Sequence, residues 1–189
     1  MSKAIQEVFG RGAKPRIVGR WFDVLKYTDG RVEHGQHGEF EWGFNQIQNS
    51  FATLLAAWAR GETGYYRINY VGIGSGLVGW DTTPPTQSYN DTTLTTEYFR
   101  KAITQPTIVY IDPSTDLPTG GVPSSKLEIT ITLLTSEANG TLREFGLFGG
   151  TAGIALDSGE MVNWIVHSRI DKDSSLEIER KIRLEFVTV

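Results

Sequence analysis

The chain contains no cysteine. That excludes a disulfide framework, a thiolate-held metal and a thiol nucleophile. Long apolar runs are missing too, and none approaches the ~20 residues that cross a bilayer as a helix. The opening stretch MSKAIQEVFGRGAKPRIVGR lacks the apolar core of a secretory leader. Folding in a reducing cytoplasm, with no membrane partner, is therefore expected. Histidine is scarce, with three copies. His34 and His37 stand close in a glycine-rich stretch, but catalytic zinc takes three protein ligands and structural zinc four. No carboxylate is suitably spaced from the pair, so it reads as solvated loop, and neither a metal nor a cofactor is expected. A G-x-S-x-G nucleophile elbow is also absent.

What remains is an ordinary soluble composition, 39% hydrophobic and 21% charged, on 189 residues. This suits one β-rich domain in which 21 glycines and five tryptophans serve turns and aromatic packing. The net charge of −4 is unevenly spread. Lys3, Arg11, Lys14, Arg16 and Arg20 against Glu7 make the first twenty residues +4, which leaves −8 for the rest. Residues 1–19 thus read as a basic arm ahead of a body at 20–189. The arm has no interleaved aromatics, and an acidic body repels phosphate, so a nucleic-acid partner is not expected. An acidic neighbouring subunit is the better partner for it.

Asp29–Gly30 between Trp21–Tyr27 and Val32 predicts a hairpin. Ile47, Phe51, Leu54, Leu55 and Trp58 form one helical stripe, which predicts a long amphipathic helix over 45–60. Asn45 and Gln48 resemble a capping box, and Gly61 can close the helix in the left-handed conformation. Tyr65–Ile73 predicts a strand, the segment 79–96 a Thr/Pro loop, and Leu94–Lys101 a short helical turn. Ala102–Ile111 predicts a further strand, and 112–125 a second loop. Leu127–Leu133 and Leu176–Phe186 alternate apolar with polar residues, as half-exposed antiparallel strands do, and Met161–His167 adds another. The expected fold is mainly β, an antiparallel sandwich or open barrel with one long helix and one short.

Gly74–Gly79 matches G-x-G-x-x-G, yet Pro84–Pro85 follows and no βαβ alternation surrounds it. A turn is the better reading. Asp112 and Asp116, or Asp171 and Asp173, are explained by turn chemistry. The charges that need a reason are Glu97 with Arg100, and Arg143 with Glu144 inside TLREFGLFGG. Neighbours on a strand face opposite ways, so one of Arg143 and Glu144 is expected in the core, paired with Glu97 or Arg100. The four together read as a structural clamp holding the Thr-rich loop to the sheet. No catalytic set emerges, and the chain is not expected to be an enzyme.

The order of segments carries a resemblance. FNQIQNSFATLLAAW leads to INYVGIGSG, a Thr/Pro loop, DTTLTTEYFRKAIT, LEITITLL, GTLREFGLFGG and MVNWIVHSRIDKD. Leu94, Glu97, Arg100 and Lys101 match an L-x-x-E-x-x-R-K pattern, and Leu142–Phe148 an L/I-R-E-x-G-L-F pattern. The chain in this respect resembles tail and baseplate virion proteins of tailed bacteriophages, similar to the N-terminal region of tail-collar fibre proteins. The resemblance covers 40–189 well and 15–39 loosely. It implies a non-enzymatic virion structural protein, a homo-oligomer such as a trimer, with tail, baseplate or fibre proteins as partners. Collar fibres continue into a host-binding tip, whereas this sequence stops at Val189, so an adaptor, plug or short fibre is expected. A capsid decoration or head fibre protein, and a carbohydrate-binding β-sandwich for host attachment, are the alternatives.

Overall fold

The structure is a computed structural model that describes residues 15–35 and 42–188. Lys3, Arg11, Lys14 and His37 lie outside the described residues. The chain runs through strands β1 (Pro15–Tyr27), β2 (Val32–His34) and β3 (Gly43–Ile47), then helix α1 (Asn49–Arg60). After it come β4 (Tyr66–Gly74), β5 (Glu97–Ala102), β6 (Ile108–Tyr110) and β7 (Lys126–Leu133). The last strands are β8 (Gly140–Gly150), β9 (Glu160–Lys172) and β10 (Leu176–Thr188).

The strands pair antiparallel in the order β5-β4-β8-β9-β3-β1-β10-β7-β6, with β2 beside β1. This mainly β sheet curls into a half-barrel. Alternation explains the inside of the curl: Ile178, Ile182 and Leu184 of β10 point into the core, while Glu177, Glu179 and Lys181 form ion pairs on the other face. Val71, Phe145 and Ile165 from the opposite arm of the curl complete that core. Helix α1 adds Phe51 and Leu54, about 1.5–3 kcal/mol each on burial. Gly61 ends it in the left-handed conformation, φ 75°, its N–H returning to Trp58 O.

Two expectations about helices need correction, and the strand expected over Ala102–Ile111 is confined to Ile108–Tyr110 after a 3-10 turn at Gln105–Thr107. Helix α1 starts at Asn49, not Asn45, because Gly43–Ile47 is a strand. Its first residues pair with β1 and its last with β9, so β3 joins the two arms of the curl. Main-chain pairing, first with β1 and then with β9, outweighs a helical apolar spacing there, and Asn45 and Gln48 do not form a capping box. The short helix is also absent: Glu97–Ala102 is strand β5 on the edge of β4. Gly74 faces Glu97 while Ile73 faces Phe99, which leaves Tyr98 as an extra residue. That bulge rotates the strand, so Glu97 and Arg100 share a face despite their i, i+3 spacing. The spacing that mimics a helix is produced by a bulge.

Strand β8 is buried from Leu142 to Gly150 because both its faces are covered. Leu142, Phe145 and Leu147 belong to the main core. Phe148 lies on the outer face in a second cluster with Leu94, Ala152, Met161 and Trp164. The loops 75–96 and 151–159 supply Leu94 and Ala152 to that cover.

Candidate functional site

The outer face of β4 carries glycine where charge is buried. A Cβ at Gly72 would stand 2.4 Å from Glu97 Oε1, and one at Gly74 would stand 2.5 Å from Glu144 Oε1. The two glycines leave bare main chain, and the carboxylates of the neighbouring strands lie over it.

Glu144 is fully buried. Its Oε1 accepts the Thr96 N–H at 2.8 Å, and its Oε2 accepts Thr95 N–H at 3.1 Å and Trp164 Nε1–H at 2.9 Å. A buried carboxylate is stable only when its lone pairs are met, and here three N–H donors meet them. Two of these donors belong to the end of the Thr/Pro loop, so Glu144 fastens that loop to the sheet.

Arg143 fastens the start of the same loop. Its Nε and Nη2 make a two-pronged pair with Asp81 at 2.6 and 2.8 Å, and Nη1 donates to Ser75 O at 3.0 Å. The Arg143 hydrogen bonds hold the Asp81 carboxyl below the usual carboxylate range. Arg169 also approaches Asp81, its Nη1 3.6 Å from Oδ2. The expectation that one of Arg143 and Glu144 faces the core is therefore corrected. The β8–β9 register shifts between Leu142 and Glu144, so Leu142 and Phe145 both reach the core and both charges between them engage the loop. The expected pairing of one of them with Glu97 or Arg100 is corrected as well, because Asp81 pairs with Arg143 while Thr95, Thr96 and Trp164 donate to Glu144.

Glu97 and Arg100 form a second hold. They pair in two-pronged fashion at 2.6 and 2.8 Å with both side chains buried. Glu97 Oε2 accepts Asp157 N–H at 2.6 Å, and Arg100 Nη1 donates to Ser158 O at 2.7 Å and Ser158 Oγ at 2.9 Å. The guanidinium also lies 4.2 Å from the Phe148 ring centre. This pair holds loop 151–159. The structure thus divides the four sequence-derived clamp residues into two holds for two loops. Lys101, beside them, reaches Glu137 and Thr132 O and ties β5 to the far end of β7.

Sequence reasoning missed a third charged group. Asp23 and Arg180 face each other across β1 and β10 and form a buried two-pronged pair. Arg180 lies over the Phe145 ring at 3.6 Å. His167 donates from Nδ1 to Ser168 O at 2.8 Å, which leaves bare Nε2 3.4 Å from Arg180 Nη2. Burial first, and the Arg180 charge second, push its pKa down to about 3, so the ring is neutral. A signal did exist: Asp23 breaks the apolar parity between Trp21 and Leu25, and Arg180 breaks it between Ile178 and Ile182. Two charges at core parity on paired strands mark a buried ion pair.

The other carboxylates serve their own turns or cations. Asp112 accepts Ser114 N–H and Oγ–H, Asp116 pairs with Lys126 and Arg183, Asp171 with Arg169, and Asp173 caps Ser175. Gly74–Gly79 leads into a single 3-10 turn at Val78–Asp81, not into a helix. His34 packs on Phe22. Among the described residues no group of three His, Asp or Glu side chains is placed to hold a metal ion, and no helix is long and apolar enough to cross a membrane. Of the arm, Arg16 is exposed at the head of β1, and Arg20 lies 3.9 Å from Glu185 and 5.3 Å from the Phe44 ring centre. Comparison with protein-family models, with curated proteins and with solved structures finds no match to this chain.

Proposed function

We propose that this chain is a non-enzymatic structural subunit of a tailed-bacteriophage tail or baseplate, a homo-oligomer that links tail and fibre proteins. One observation carries the reading. The two sequence patterns on which the resemblance rests, Leu94–Lys101 and Leu142–Phe148, contain the residues that hold the outer loops in place. Their charges are engaged by main-chain and side-chain partners within the chain, which is the work of a scaffold. The loops they fix carry exposed apolar residues, Leu77 and Val78 on one and Ile154 on the other. Rigid loops with apolar tips suit a subunit that meets neighbours at set positions.

The test is antibody labelling of purified virions together with mass spectrometry of separated tails and heads. The reading expects the protein in tails. Labelling of heads would make it a capsid decoration or head fibre protein, and its absence from virions would overturn both. A second reading, a carbohydrate-binding module for host attachment, is favoured by an open cleft of about 550 Å³ where Trp80 lies beside Asp81, Pro84 and Arg169. Aromatic faces beside hydrogen-bonding charges suit sugars, and glycan-array binding by the isolated protein would support it.

A further inference from the structure

Strand β1 has an edge that the described fold leaves open. It pairs with β10 along its whole length, from Pro15 opposite Thr188 to Tyr27 opposite Leu176. On its other side, among the described residues, it pairs with β3 at Gly19–Trp21 and with β2 at Val24–Lys26. Past Asn45, β3 turns away to pair with β9 through Gln46 and Ile47. A wedge opens where the two strands part. It is a cleft of about 450 Å³ walled by Arg16, Ile17 and Val18 on one side and Gln46 and Ile47 on the other, with Tyr89 at its rim.

The wall is chemically incomplete. Asn45 Nδ2 and Oδ1 and Gln46 Nε2 are buried in it without a hydrogen-bond partner. Such orphans are rare in folded proteins, and three on one wall point to a missing partner. Phe44 and Tyr89 beside it are 72% and 63% exposed. Neutral amides, an unpaired strand edge and flanking aromatics are the features that take an added strand, with affinity from main-chain hydrogen bonds.

We propose that the cleft receives residues 4–9 of a second copy as an added strand. Fourteen residues precede Pro15, whose neighbour Arg16 lines the cleft, and within them AIQEVF alternates Ile5, Glu7 and Phe9 with Ala4, Gln6 and Val8. Its single charge, Glu7, complements the exposed Arg16 of the cleft wall, while Lys3 and Arg11 fall outside the segment. Residues 10–14 span about 17 Å when extended, which passes the segment to an adjoining copy. Each copy gives one strand and takes one, a head-to-tail contact that closes into a ring or trimer. This inference rests on the assembly reading above and names the surface that assembly uses.

The absence of native cysteine makes disulfide trapping a clean test. A tagged Val8→Cys chain is co-expressed with an untagged Val18→Cys chain and then oxidised. The expected result is a cross-linked pair containing both chains, lost when Thr53→Cys replaces Val18→Cys. Arg16→Glu should diminish the cross-link, and Glu7→Arg in the partner should restore it. Cross-linking within one chain that carries both cysteines, with none between chains, would overturn the proposal, as would no cross-link at all. The mass of the wild-type protein in solution separates the two failures. An oligomer without the cross-link refutes the cleft alone, whereas a monomer absent from virions refutes the assembly reading too.

Discussion

Replacing Glu144 by Gln tests whether the Thr/Pro loop is held by a carboxylate. The substitution preserves size and removes one acceptor oxygen. Glu144 now satisfies Thr95 N–H, Thr96 N–H and Trp164 Nε1–H with two oxygens. A glutamine can meet one side of that set with its oxygen, while its NH₂ turns toward donors on the other. A hydrogen bond to a charged group contributes about 1.5–3 kcal/mol, and an unsatisfied buried donor costs about 1–3 kcal/mol. The loss is therefore about 2–4 kcal/mol. The loop opens without unfolding the main core, because Leu142 and Phe145 face the other way. Amide hydrogen exchange at Thr95 and Thr96 should accelerate about 30- to 1,000-fold, while β10 amides change less. Urea unfolding should show a lowered midpoint with an unchanged slope. Unaltered exchange at both threonines would refute the hold, and uniform acceleration across the sheet would show that Glu144 supports the whole fold instead.

Other outcomes follow from the remaining charges. Asp23→Asn leaves the Arg180 guanidinium buried beside His167 and should cost about 3–5 kcal/mol in thermal unfolding, whereas Asp23→Leu with Arg180→Met should be close to neutral. His167 is neutral when folded, with its pKa pushed down to about 3 from an ordinary 6.5. The unfolded chain therefore binds the extra proton first, and stability falls as pH drops through the window from about 6.5 to about 3, by up to about 1.4 kcal/mol per pH unit. His167→Gln should flatten that limb relative to wild type, and identical acid limbs would show that the ring charges freely in the folded state. A double-mutant cycle should give measurable coupling between Asp81 and Arg143 and none between Glu97 and Arg143. Coupling of the second pair would contradict the observed geometry.

Periodicity by itself determined the broad class of this protein. The alternation of β7 and β10, the Asp29–Gly30 turn and the Gly61 helix stop are local signals, set by backbone geometry and by which face meets water, and they needed no partner to be read. The residues of the two holds, Glu97, Arg100, Arg143 and Glu144, were also legible, because charge inside an apolar run demands a partner. Which partner it takes was not. Asp81 and Ser75 reach Arg143 through the course of a loop, and a bulge at Tyr98 decides that Glu97 meets Arg100. Both depend on pairings between strands distant in sequence.

The same reason explains the two misread elements and the missed one. Asn45–Ile47 leads into the helical stripe that starts at Ile47, but two strands claim its main chain, so hydrogen bonding across the sheet prevails over local propensity. Asp23 and Arg180 stand 157 residues apart, and each alone is one polar residue in a strand. Only the β1–β10 register places them opposite one another. Local sequence thus determined the alternating strands and the need to hold Glu97, Arg100, Arg143 and Glu144. Tertiary structure decided what holds them and where an edge is left open, because those depend on which distant segments become neighbours.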